Sequence, residues 1–170
     1  MIHIILGPMF SGKTSLLFKL YEEIGGLILD YSEDKCQTGI IVNHDKKQHT
    51  CISLSHLDDI VSIVHSTVYI NEAQFFPDLY EFVLRCEKEG KDLYLFGLDG
   101  DFQRNPMGQL LQVIPLCDTI KKLRGNCSRC ERGSVFSKRI TEDLNPYLLD
   151  EKAYIPLCRK CYLTYNVSVV

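Results

Sequence analysis

Between a short apolar run, Ile2-His3-Ile4-Ile5-Leu6, and a stretch with leucines at helical spacing lies Gly7-Pro8-Met9-Phe10-Ser11-Gly12-Lys13-Thr14. This segment fits G-x-x-x-x-G-K-[ST], and it restricts the fold more than any other part of the chain. Its glycines let the backbone turn so that successive amide N–H groups face one anion. A helix that starts at the loop adds its N-terminal dipole. Lys13 then reaches the outer phosphates of a nucleotide, and the Thr14 hydroxyl holds Mg²⁺. A chance glycine–lysine turn needs no strand before it and no helix after it, and here both are read. The segment predicts an α/β fold with a phosphate loop at the end of its first strand.

The rest of the chain up to about residue 123 agrees with that fold. Lys13 to about Ile24 reads as a helix with Leu16, Leu17 and Leu20 on one face, ended by Gly25-Gly26. Leu27 to Tyr31 reads as a second strand. Residues 32–52 lack a clear period and are expected to form a loop, at most with a ragged hairpin. Leu57, Ile60, Val61 and Val64 have helical spacing. Thr67 to Ile70 is a third strand. Leu79, Phe82, Val83 and Cys86 mark another helix closed by Gly90, and Leu93 to Leu98 is a fourth strand. Such βαβαβαβ alternation predicts a mainly parallel sheet with flanking helices, the apolar strands being covered on both faces. After Leu123 the periodic segments give way to charge, glycine and paired cysteines. The expected division is a phosphate-loop α/β domain over 1–123 and a small lobe over 124–170.

Nineteen Lys and Arg against 22 Asp and Glu give a formal net charge of −3. That balance lacks the basic footprint of a nucleic-acid or membrane-surface partner. No apolar run approaches the roughly 20 residues that span a bilayer. The first strand is too short for a signal peptide. A cytoplasmic protein is expected, and there disulfides are unusual, so the eight cysteines need another account. Cys127-Ser128-Arg129-Cys130 and Cys158-Arg159-Lys160-Cys161 are two C-x-x-C units with 27 residues between them. Two such knuckles match a structural Cys₄ zinc site with no open catalytic position. A redox C-x-x-C normally occurs once, at a helix start. Nearby Arg129, Arg132, Arg159 and Lys160 offset thiolate charge. Cys36, Cys51, Cys86 and Cys117 are scattered and read as ordinary thiols.

Two further segments carry chemistry. P-loop enzymes usually hold a carboxylate at the end of a second buried strand, near the metal. Here Tyr69-Ile70-Asn71-Glu72-Ala73-Gln74-Phe75-Phe76-Pro77 puts Glu72 at that place, able to accept a proton from an attacking hydroxyl or to help hold Mg²⁺. The bland reading is a helix-initiating glutamate favoured by the dipole. Phe75 and Phe76 are either core or a stacking surface for a flat base. Leu98-Asp99-Gly100-Asp101-Phe102-Gln103-Arg104 follows the fourth strand, and ligands of parallel sheets sit beyond such strand ends. Phe102 is placed to contact a substrate and Arg104 to meet phosphate, although Asp99-Gly100 alone is a plain turn.

Taken in order, Gly-Pro-Met-Phe-Ser-Gly-Lys-Thr, Asn-Glu-Ala-Gln-Phe-Phe-Pro-Asp, Leu-Asp-Gly-Asp-Phe-Gln-Arg-Asn-Pro and the cysteine pairs make the chain resemble the type II thymidine kinases, from Ile4 to Tyr162. The resemblance implies transfer of the γ-phosphoryl of ATP to the 5′-hydroxyl of thymidine or deoxyuridine, with Glu72 as general base. It implies a triphosphate site made of Gly7, Pro8, Met9, Phe10, Ser11, Gly12, Lys13 and Thr14, supported by Asn71 and Gln74, with Thr14 and Asn71 on the Mg²⁺ side. Met9, Phe75, Leu98 and Phe102 would line the thymine pocket, with Ser137 at the base and Tyr154 holding the nucleoside. Asn145 to Leu149, with Tyr147, Leu148 and Leu149 the contacting residues, correspond to a lasso loop that closes over the base. The family also implies a homo-oligomer, commonly a tetramer. Thymidine triphosphate joins the features of both substrates and is expected as a feedback inhibitor.

The chain departs from the usual pattern of the family it resembles, and its first helix and following loop are short. Asn71 stands where the family usually has aspartate, Cys36 where it usually has arginine near the triphosphate, and Leu148-Leu149-Asp150-Glu151 where the lasso usually carries a glycine pair. An asparagine at 71 is expected to hold the metal less firmly than a carboxylate. Such changes leave open a second reading, a catalytically weakened nucleotide-binding protein with a regulatory role. A third, a zinc-ribbon nucleic-acid binder, is disfavoured by the acidic balance.

Overall fold

A computed structural model describes residues 1–33, 37–142 and 150–165. The first strand, β1 (Ile2–Leu6), leads through the glycine loop into α1 (Lys13–Ile24). Gly12 opens the helix in the left-handed region at φ 81°, and Gly25 closes it at φ 78° with its N–H on the Tyr21 carbonyl. The chain returns as β2 (Leu27–Tyr31), then forms the hairpin β3 (Gln37–Val42) and β4 (Gln48–Leu54). β5 (Thr67–Asn71), α2 (Leu79–Lys88), β6 (Asp92–Gly97) and β7 (Thr119–Lys122) follow.

The seven strands form one sheet in the order β3-β4-β2-β5-β6-β1-β7. Every pairing is parallel except that of β3 with β4. Side chains of a strand alternate between faces, and the two layers of core follow that alternation. Ile2, Ile4 and Leu6 with Leu29, Val68, Ile70, Leu93 and Leu95 join Leu79, Phe82, Val83 and Cys86 of α2 on one face. Ile5, Ile28, Tyr69 and Phe96 join Leu17 and Phe18 of α1 on the other. Because the strands run parallel, the chain leaves β1, β2, β5 and β6 at one edge of the sheet, and the phosphate loop, Tyr31, Glu72 and Leu98 gather there.

Two expectations are corrected. The stretch 32–52 holds a regular hairpin that extends the sheet, with β4 parallel to β2. Residues 57–64 form only a 3₁₀ turn, Leu57–Asp59, and then an irregular stretch. The buried side chains there are Leu57, Ile60 and Ile63, whereas Val61 and Val64 are 91% and 88% exposed. A run with four β-branched residues in five has poor helix propensity, and packing of every third side chain does the work of an amphipathic face. Thr119–Lys122, exposed along its length and with Ile120 its one apolar residue, is a strand that no apolar pattern announces. It is held by pairing with β1 and by the Asp118 carboxylate, which accepts from Ile2 N–H at 2.6 Å.

Beyond β7 lie two small antiparallel pairs, β8 (Gly125–Asn126) with β9 (Gly133–Ser134) and β10 (Phe136–Arg139) with β11 (Tyr154–Leu157), and the short α3 (Arg159–Leu163). Among the described residues their buried cluster is Cys127, Leu157 and Cys158, with Cys130, Ile155, Cys161, Tyr162 and Tyr165 packed around it. Among the described residues no helix is long and apolar enough to cross a membrane.

Candidate active site

Where the parallel strands end, a cavity of about 260 Å³ opens between the sheet and the cysteine lobe. The phosphate loop forms its floor. Met9, Phe10, Ser11, Gly12, Lys13 and Thr14 line it, and Gly7 and Pro8 do not. Phe10 sits at φ 60° and Gly12 at φ 81°, left-handed values that curl the loop round a central point. Lys13 Nζ is buried and donates to the carbonyls of Gly7 at 3.1 Å and Pro8 at 3.0 Å. Burial lowers its pKa, and the nearby carboxylates of Glu72, Asp99 and Glu151 oppose that shift. Ser11 Oγ is buried without a hydrogen-bond partner among the described residues. A concave loop of amides with a buried cation and an unused hydroxyl fits the phosphates of a nucleotide.

Glu72 lines the same cavity. It is a non-glycine residue at φ 51° and ψ 40°, backbone strain of the kind that clusters at functional sites. Gln74 lies behind it, 1% exposed, and donates from Nε2 to Glu72 Oε2 at 2.7 Å. Asn71 also lies behind the cavity wall. Its Nδ2 donates to Asp30 Oδ1 at 2.8 Å on the neighbouring strand, and its own Oδ1 is buried without a partner among the described residues. Burial raises the pKa of Asp30 and the charge of Glu72 adds to it, while the bond from Asn71 works the other way. The Thr14 hydroxyl in the cavity and the unused Asn71 oxygen are of the oxygen-donor type that suits Mg²⁺.

The apolar wall comes from three directions. Met9 belongs to the loop, Phe75 follows Glu72, and Leu98 and Phe102 belong to the segment after β6. Ser137 and Tyr154 enter from the lobe. Ser137 Oγ accepts from Met9 N–H at 2.9 Å, joining β10 to the phosphate loop. Tyr154 is bonded by Arg139, whose guanidinium lies 4.0 Å over the Phe102 ring. Tyr162 donates to the Phe102 carbonyl at 2.6 Å. Arg104 does not line this cavity, and its guanidinium lies over the rings of Phe136 and Tyr162.

The structure adds cavity residues that the sequence reading did not name. Tyr31 ends β2 and packs on Phe75 with ring centroids 5.2 Å apart. A strand end on the active edge was signal enough to suggest it. His44, beside Phe10 in the β3–β4 turn, and Glu151 and Met107 gave no such signal. Cys36, and Asn145 to Leu149 with Tyr147, Leu148 and Leu149 among them, lie outside the described residues.

Cys127, Cys130, Cys158 and Cys161 converge, with all four sulfurs within 4.8 Å of one another. Sγ of Cys130 is 3.6 Å from that of Cys158 and 3.7 Å from that of Cys161. A tetrahedron with Zn–S bonds of about 2.3 Å has edges of about 3.8 Å, so the set fits zinc. Burial works against the Cys127 thiolate, but backbone N–H groups of Cys158 and Arg129 outweigh it and bring the thiol to about 6. Burial and the neighbouring thiols push Cys161 up to about 12. Four crowded sulfurs cannot all ionise without a cation among them. Of the other cysteines, burial pushes Cys86 up to about 11 and raises Cys51, as for inert core thiols.

The chain is also similar to known proteins. The sequence model of the family described as thymidine kinase matches residues 1–162. The thymidine kinase of Monkeypox virus is 35% identical over 170 residues, covering 95% of this chain and 96% of the relative. That of Yaba monkey tumor virus (strain VR587) is 36% identical over 173 residues, covering 97% and 96%. The thymidine kinase of Oryza sativa subsp. japonica is 34% identical over 184 residues, covering 99% and 68%.

Proposed function

The chain belongs to the thymidine kinase family, and on that premise we propose that it moves the γ-phosphoryl of ATP to the 5′-hydroxyl of thymidine or deoxyuridine, with Glu72 as general base. One observation carries the reading. One cavity is lined by the phosphate loop, a carboxylate and apolar side chains, which supports a nucleotide and a nucleoside lying end to end with Glu72 beside their junction. Residues 1–123 act as the nucleotide-binding domain, and residues 124–170 as the lobe that completes the nucleoside side.

In this account the loop amides and Lys13 hold the triphosphate. Met9, Phe75, Leu98, Phe102 and Tyr154 exclude water around the thymine, and Ser137 fixes the lobe against the loop. Glu72 takes the proton of the 5′-hydroxyl as its oxygen bonds to the γ-phosphorus. The bond from that phosphorus to the β–γ bridging oxygen breaks, and ADP leaves. Mg²⁺ neutralises phosphate charge in such transfers, and Thr14 with Asn71 would hold it. Zinc on the four cysteines would hold the lobe's shape. Residues 145–149 would act as the loop over the base. Thymidine triphosphate would occupy both halves of the cavity, its base in the slot and its phosphates toward Lys13. Exposed Ile40 and Val42 on one sheet edge and Ile120 on the other support self-association to a homo-oligomer.

The test is direct. The protein incubated with Mg·ATP and thymidine is expected to yield thymidine 5′-monophosphate and ADP in equal amounts. Binding of both ligands without product would contradict the assignment.

A further inference from the structure

Gln74 is 1% exposed, and its side-chain amide has two partners of different kind. Oε1 accepts from the Leu98 backbone N–H at 2.9 Å, and Nε2 donates to Glu72 Oε2 at 2.7 Å. A backbone N–H can only donate, which fixes the amide orientation and turns its NH₂ toward Glu72. Glu72 must then accept, as a carboxylate does. The packing around Gln74 is built for it. Gly97, at the end of β6, leaves room for Oε1, where a Cβ would collide. Gly108, at φ +53°, lies so close to the Gln74 carbonyl that any side chain there would overlap it.

We propose that Gln74 is a positioning residue for the phosphoryl transfer: it ties one oxygen of Glu72 to the segment after β6 that lines the nucleoside slot, leaving the other oxygen for the substrate hydroxyl. The role rests on Glu72 being the base. It explains how a carboxylate on a left-handed, strained residue keeps one place: the bond runs from the end of β5 to the end of β6, across two paired strands. It also registers the base with Leu98 and Phe102, which line the nucleoside side of the same cavity. Gln74 itself does not line that cavity.

The experiment is a double-variant cycle on the full chain, with Gln74→Met, Glu72→Gln and both together, read by kcat, KM for thymidine and affinity for a non-hydrolysable ATP analogue. Misplacing a reacting group by about 1 Å costs on the order of 100-fold, so Gln74→Met is expected to lower kcat about 10–100-fold. KM for thymidine and analogue affinity should change by less than about threefold, as befits an interaction used only in the transition state. In the Glu72→Gln background the same change should lower kcat by less than about twofold, because coupled residues are not additive. Gln74→Glu keeps the volume and the bond from Leu98 N–H but loses the donor to Glu72, and it carries the same comparison if Gln74→Met folds poorly. An equal loss in both backgrounds makes Gln74 merely structural and overturns the proposal. So does parent-like turnover of Gln74→Met beside a slow Glu72→Gln enzyme, with the base assignment left standing. Parent-like turnover of Glu72→Gln removes the base assignment itself, and this role with it.

Discussion

The sheet and the cysteine lobe contribute to one cavity but are held together in opposite ways. The sheet is covered on both faces by apolar side chains, many of them without any exposed area. Among the described residues the lobe has two two-stranded pairs, a five-residue helix and a cluster of three buried residues, two of them cysteines. Two-stranded pairs are marginal in water on their own, and so small a core supplies little. The lobe nonetheless puts Ser137 and Tyr154 into the cavity, and Arg139 and Tyr162 against the loop that carries Phe102. The rigid half of the site is built from hydrocarbon. The proposed zinc on the four sulfurs would hold the other half.

The largest expected effect tests that asymmetry. The purified protein should hold one zinc per chain by elemental analysis. Metal binding in small zinc modules contributes about 10–16 kcal/mol of apparent folding free energy. Removing the metal with a chelator, or Cys161→Ser, is therefore expected to abolish thymidine phosphorylation while ATP-analogue affinity falls only a few-fold. Equal loss of thymidine phosphorylation and of ATP-analogue affinity would show that the two halves do not separate in this way.

How much of this was legible in the sequence follows the same divide. Ile2–Leu6, Lys13–Ile24 and Leu27–Tyr31 are readable because each is a run of one period bounded by glycine. The four cysteines are readable from spacing alone. What pattern could not show is tertiary pairing. Thr119–Lys122 is a strand only because β1 offers it an edge. Asp30 and Asn71 face each other only because β2 and β5 are in register. Gln74 stood in a motif that pointed toward phosphate, but its amide is spent on Glu72 and Leu98. The Leu57–Val64 stretch misled because two of its valines point to solvent.

A smaller effect sharpens the claim that the two halves form one continuous site. Thymidine triphosphate at about 100 times its Kd should stabilise the protein by about 2.7 kcal/mol. For a chain of this size that is a rise in Tm of roughly 5–11 °C. Tyr154→Ala should remove most of this protection and leave that of ATP nearly intact. Protection by thymidine or ATP but none by thymidine triphosphate would divide the cavity in two.

The smallest effect concerns the strand ends. From its position alone, Asn71→Asp would be expected to strengthen the metal site. The structure reverses that expectation, since the Asn71 amide donates to Asp30 at 2.8 Å and a carboxylate there would meet a carboxylate. Losing a buried donor costs about 1–3 kcal/mol, so the single variant should melt lower and turn over more slowly. Asp30→Asn combined with Asn71→Asp restores one donor and one charge, and should recover stability. It should also lower the Mg²⁺ needed for half-maximal rate. A single Asn71→Asp variant as stable as the parent would place Asp30 outside this pairing.

The central claim is that Glu72 is the base at the junction of the two ligands. The most direct measurement is the single-turnover rate of Glu72→Gln with saturating Mg·ATP and thymidine, alongside its affinity for each ligand. Glutamine keeps the size and can still meet the Gln74 amide but cannot accept the hydroxyl proton. Loss of a general base typically costs about 10²–10⁴-fold. The account predicts a fall in that range with both affinities nearly unchanged. A rate within a few-fold of the parent enzyme would contradict it and move the proton's acceptor elsewhere in the cavity, with Asp101 the first residue to try.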